Sequence, residues 1–81
     1  MGVYLVERYV PSMTQEEVAG AASRLPGADG DGVRHLWTVL VPDEDTCLSL
    51  FEATDVAAVV AVNEQAQFPV ARIVEAAVVG R

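Results

Sequence analysis

The chain has no lysine and only one histidine, one cysteine and one tryptophan among its 81 residues. Each scarcity excludes something. A single cysteine cannot form an internal disulfide, and Cys47, inside an apolar run, reads as a buried, reduced thiol. Five arginines against 12 acidic residues leave a net charge of −7. Nucleic acid is bound by neutralising its phosphates, so this balance argues against it as a partner. The longest apolar stretches, Ala53–Ala61 and Ala76–Val79, fall well short of the ~20 residues that span a bilayer. The opening residues Met1–Glu7 lack the basic segment and long apolar core of a signal peptide, so the cytoplasm is the expected compartment and no membrane is expected as a partner. The sequence also lacks a phosphate-cradling glycine motif, a Cys-x-x-Cys pair and a nucleophile elbow, and no cofactor is implied.

What is present is a clear order of patterns over one domain, residues 1–81. Strand-like runs occupy Val3–Val10, Val33–Val41, Cys47–Ala53 and Arg72–Val79. Helix-like runs follow the first and the third. Thr14 and Glu17 form a capping box that starts a helix over about Gln15–Leu25, with Val18, Ala21, Ala22 and Leu25 as its inward stripe and Gly20 allowing a close approach to the sheet. Thr54 reads as the cap of a second helix over about Asp55–Ala66, whose expected inward stripe is Val56, Val59, Val60 and Asn63. The segment Pro26–Gly32 is a loop, and Pro42–Asp45 is an acidic turn between hairpin strands. The resulting order, βαββαβ, predicts an α+β, ferredoxin-like fold: a four-stranded antiparallel sheet with two helices on one face.

Such a sheet usually buries one face and wets the other. Here the alternation fails. The first strand sets Tyr4, Val6, Arg8 and Val10 against Leu5, Glu7 and Tyr9; the second sets Val33, His35, Trp37, Val39 and Val41 against Arg34, Leu36, Thr38 and Leu40. Both faces are apolar, in a chain that is 52% hydrophobic. A second copy of the same sheet is the simplest cover, and the sequence therefore predicts a homodimer, built as a dimeric α/β barrel.

The segments Tyr4–Tyr9, Val41–Cys47, Leu50–Ala53 and Phe68–Ala76 resemble a family of small bacterial domains of unknown function with a ferredoxin-like, dimer-forming fold. That family includes a nickel-binding protein. The resemblance implies imidazole ligands near the end of the first strand and in or after the second helix. The corresponding stretches here, Glu7–Val10 and Asn63–Pro69, contain no histidine, so no metal site is expected.

Five side chains are candidates for binding a small ligand: Glu7, Tyr9, His35, Trp37 and Glu52. Glu7 and Glu52 lie inside strands that should be neighbours, where carboxylates are unusual. Placed together they would form a proton-transfer pair; paired with Arg8, Arg34 or Arg72 they would be structural. His35, expected beside Trp37 on one sheet face, could act as a base with the indole as a wall. Asp29-Gly30-Asp31-Gly32 contains a fragment of a calcium loop, but Val33 opens a strand at once and the segment reads as a turn. Asp43-Glu44-Asp45 reads as a solvated edge. No catalytic residue is assigned. The leading expectation is a dimeric, non-enzymatic protein that binds a small ligand or partner. The alternatives are an α/β-barrel enzyme using Glu7 or His35 as acid or base, and a nickel-binding protein.

Overall fold

A computed structural model describes residues 1–25 and 32–80. The order is β1 (Gly2–Tyr9), α1 (Gln15–Ser23), β2 (Val33–Val41), a 3-10 turn (Pro42–Glu44), β3 (Thr46–Ala53), α2 (Val56–Ala66) and β4 (Arg72–Ala76). The strands form one antiparallel sheet in the order β2-β3-β1-β4, with α1 packed against β2 and α2 against β3. This is the expected ferredoxin-like fold. The calcium-loop fragment Asp29–Asp31 lies outside the described residues.

Helix starts are set by side-chain acceptors. Thr14 Oγ1 accepts from the Glu17 amide at 3.1 Å and Glu17 Oε1 accepts from the Thr14 amide at 2.8 Å, which completes the capping box. The cap of α2 is Asp55 rather than Thr54: Asp55 Oδ1 accepts from the Ala58 amide at 3.0 Å. An aspartate satisfies that orphan amide as well as a threonine does, and its charge also favours the helix N-terminus. The second helix ends at Gln67, whose φ of 54 is left-handed, and the Phe68 amide bonds back to the Asn63 carbonyl.

The inward stripe of α1 is as expected, with Val18, Ala21 and Leu25 buried. Gly20 does not serve a close approach, since a side chain built there would meet nothing within 4 Å. The stripe of α2 differs from expectation. Val59, Asn63 and Ala66 are buried, whereas Val56 and Val60 face solvent. A helix that is apolar on nearly every side offers several stripes of similar hydrophobicity, and the sheet selected the one carrying Asn63. The strand expected to run to Val79 pairs only to Ala76, and the following residues to Gly80 are exposed. The register sets Ala76 opposite Val3, and β1 begins at Gly2, so a longer fourth strand would have at most one further strand residue to pair with.

The core lies between sheet and helices. Val6, Val10, Cys47, Phe51 and Ala53 from β1, its end and β3 meet Val18, Ala21 and Val59 from the helices. A β-bulge in β2 controls what lies where. His35 pairs with Phe51, yet Trp37 pairs with Leu50, so Leu36 is an extra residue and the parity of the strand reverses after it. His35, Thr38 and Leu40 therefore face the helices, while Trp37, Val39 and Val41 face away. The expected placement of His35 and Trp37 on one face is corrected.

Candidate functional site

The helix side of the sheet contains a buried arginine. Arg8, opposite Cys47 on β3, is 1% exposed. Among the described residues no carboxylate pairs with it. Four hydrogen bonds hold it instead. Nη1 donates to the carbonyls of Phe68 (3.4 Å) and Pro69 (3.0 Å), just beyond the C-terminal end of α2; Nε and Nη2 donate to Ser49 Oγ at 3.3 and 2.9 Å. The Phe68 ring lies 3.6 Å from the guanidinium carbon, a cation–π contact. Carbonyls past a helix C-terminus and an aromatic face are the neutral partners best suited to a buried cation. Burial nevertheless lowers its pKa to about 10, opposed by the neighbouring Cys47. Burial in turn raises the Cys47 thiol, with Arg8 pulling the other way.

From Ser49 the polar chain continues outward. Ser49 Oγ lies 2.7 Å from Thr38 Oγ1, which lies 2.7 Å from His35 Nε2. A guanidinium has only donors. Because Ser49 Oγ accepts twice from Arg8, its own hydrogen goes to Thr38. The Thr38–His35 bond has a direction set by the imidazole tautomer: Thr38 donates to Nε2 when the ring proton is on Nδ1 and accepts from it otherwise. Burial lowers the His35 pKa, a backbone hydrogen bond with Trp37 raises it, and Arg8 lowers it further. The imidazole packs on Phe51 with ring centroids 5.3 Å apart. With Thr38 it lines a 500 Å³ cavity between α1 and β2, whose other walls are Gln15, Val18, Ala19, Ala22, Ser23 and Leu40.

The opposite side of the sheet is open. Register aligns Trp37, Leu50, Leu5 and Val74 in one row across all four strands. Trp37 is 42% exposed and Val39 beside it 45%. The row is bracketed by two ion pairs: Arg34–Glu52 at 3.4 Å near the β2 edge, and Arg72–Glu7 at 2.6 Å near the β4 edge. A shallow depression of 820 Å³ covers part of this face, walled by Met1–Val3 and the C-terminal tail and floored by Leu36, Trp37 and Leu50.

The five candidate side chains thus separate. Glu7 and Glu52 share the open face, as expected, but Glu52 pairs with Val3 and Glu7 with Leu48, four residues apart along β1. That separation is about 13 Å, too far for a shared proton. Each carboxylate is instead matched by its own arginine and partly exposed. Tyr9 stands in solvent, 63% exposed. Trp37 and Glu52 line the open-face depression; His35 lines the cavity on the other side. Arg8, Ser49 and Thr38 were not among the candidates. The sign was present for Arg8, which falls in phase with Val6 and Val10.

The donor chemistry does not fit a nickel ion. Among the described residues no three of His, Cys, Asp and Glu come together. The only imidazole has its Nε2 engaged by Thr38, and the only thiol is fully buried beside a guanidinium, an arrangement that repels a cation.

Comparison with known proteins gives one solved structure with the same fold, the crystal structure of SCO4226 from Streptomyces coelicolor A3(2). It shares 18% identity, with a TM-score of 0.74 over 96% of this chain and 99% of the other. No curated protein matches. The family model described as nickel responsive protein SCO4226-like matches residues 4–76, from the strand that carries the buried arginine to the last residue of the fourth strand, and the chain belongs to that SCO4226-like family.

Proposed function

We propose that the protein is a small cytoplasmic homodimer with a binding rather than a catalytic role, its open sheet face closed by a second copy to form an α/β barrel. The observation that carries this reading is the row Trp37–Leu50–Leu5–Val74, an apolar band that crosses every strand on the side without helices. Leu50 is buried in the protomer, but Trp37 and the neighbouring Val39 remain exposed, and leaving them in water is unfavourable by roughly 25 cal/mol for each Å² of apolar surface. The flanking ion pairs support the same reading, because they hold charges at the rim of the band and leave its centre dry, as in protein interfaces. A binding role is favoured over catalysis because Glu7, Tyr9 and His35 share no pocket among the described residues. The nickel response in the family description finds no matching donor cluster among the described residues.

Light scattering tests the reading directly. The wild-type protein is expected at twice 8.6 kDa, and Leu5→Glu, which places a carboxylate in the middle of the row, at the monomer mass with its fold retained. A wild-type monomer that does not associate at micromolar concentration would overturn it.

A further inference from the structure

We propose that the cavity between α1 and β2 binds a small organic acid with a short apolar body, its carboxylate received at the floor by Thr38 and His35. This deepens the binding role above without depending on dimerisation, since the cavity and the open face lie on opposite sides of the sheet.

Three observations carry it. The 500 Å³ space is of a size for a small molecule, and Val18, Ala19, Ala22 and Leu40 give it apolar walls. Among the described residues none that lines it is acidic, in a chain with 12 carboxylates. Its polar floor is the outer end of a chain of oriented donors that begins at Arg8, a buried cation without a carboxylate partner among the described residues. The Ser49 O–H points away from the guanidinium, and a buried cation behind it makes the end at the cavity electropositive. A carboxylate there meets oriented donors in a partly desolvated site.

Proton bookkeeping closes. With the imidazole neutral and its proton on Nδ1, the Thr38 hydrogen is held by the Nε2 lone pair. Thr38 Oγ1 accepts once, from Ser49, and has a second lone pair available. When His35 takes up a proton from water, Nε2–H donates to that lone pair and the Thr38 hydrogen is released to the carboxylate. Binding of the anion and protonation of His35 therefore assist each other. Among the described residues the charged and titratable groups facing His35 are Arg8 from β1 and, next to Arg8, Cys47 from β3; α1 presents to the cavity Gln15, Val18, Ala19, Ala22 and Ser23.

The single histidine and single tryptophan, on opposite faces, make the test unambiguous. Hexanoate is titrated into labelled protein while the His35 imidazole and the Trp37 indole signals are followed by NMR. A saturable shift of His35 with a still Trp37 is expected, together with a rise in the His35 pKa at saturation. Hexan-1-ol, which keeps the apolar body and loses the charge, should bind about tenfold more weakly or worse, the loss of one charge-assisted hydrogen bond. Thr38→Val should weaken hexanoate to a similar extent. Ala19→Leu, at an exposed helix position on the cavity wall, should abolish binding without threatening the fold. The proposal is overturned by the absence of a saturable His35 shift at millimolar hexanoate, by equal affinity for hexanol, by unchanged binding in Ala19→Leu, or by a response confined to Trp37. That last result would place the ligand on the open face; failure of dimerisation alone would leave all of these readouts intact.

Discussion

The two faces of this sheet are built from the same four strands and do different things. The helix side buries a guanidinium, with a thiol beside it, and the Ser49 hydroxyl, from which a half-buried Thr38 continues to the cavity. The open side keeps its charges at two corners and presents an apolar band between them. The helix side thus sets a few polar groups within an otherwise apolar core, while part of the apolar surplus, Trp37 and Val39, is exposed on the other side. Arg8 can be buried on the helix side because its donors have partners: helix-end carbonyls, and Ser49 with the Thr38–His35 series behind it. Asn63 is the exception, its amide donating to the Val59 carbonyl while its Oδ1 is buried without a partner among the described residues. On the open band Leu50 is buried and Leu5 and Val74 are half-buried within one protomer, while Trp37 and the neighbouring Val39 stay exposed.

Substitutions should separate the faces. The largest effect belongs to Phe51→Ala, which empties the middle of the helix-side core and should destabilise the fold by about 3–5 kcal/mol in urea melts. A loss as small as that of an exposed residue would mean that the core is not centred there. Arg8→Leu comes next. It orphans the Phe68 and Pro69 carbonyls, at about 1–3 kcal/mol each, while relieving the desolvation that lowers the arginine pKa. A net destabilisation of about 2 kcal/mol is expected; a stabilised variant would show that the buried cation is a liability and not part of the packing.

The smallest effect is in pH. His35 has a lowered pKa in the folded state, so the unfolded chain takes up its proton first as pH falls. The stability associated with neutral His35 is present above its ordinary value of 6.5 and is lost as pH falls through the folded value. Melts across that window should show a decline with acid that His35→Gln removes. An identical decline in the variant would assign the slope to carboxylates elsewhere.

How far the sequence reveals this contrast depends on the residue. Strand order and the start of α1 were readable because alternation and the Thr14-x-x-Glu17 spacing are local signals. The parity of β2 was not. Residues Val33–Val41 are apolar on both sides, and one inserted residue, Leu36, transfers Trp37 from the face of His35 to the other without changing anything that periodicity can detect. Glu7 and Glu52 were placed on the right face, but their separation follows from register between strands, which is a tertiary property. The partners of Arg8 come from positions 41 to 61 residues away. Its phase with Val6 and Val10 marks it as inward-facing; only the fold brings Ser49 and the end of α2 to it.

The central claim, that the open face is made for a second copy of itself, is tested most directly by the emission of the one tryptophan as the protein is diluted. Trp37 stands in the middle row, partly exposed in a single protomer. Burial against a second sheet should give blue-shifted emission at high concentration that moves to the red as dimers dissociate, with Leu5→Glu red-shifted throughout. Emission of a solvent-exposed indole at every concentration, identical in wild type and Leu5→Glu, would contradict the account.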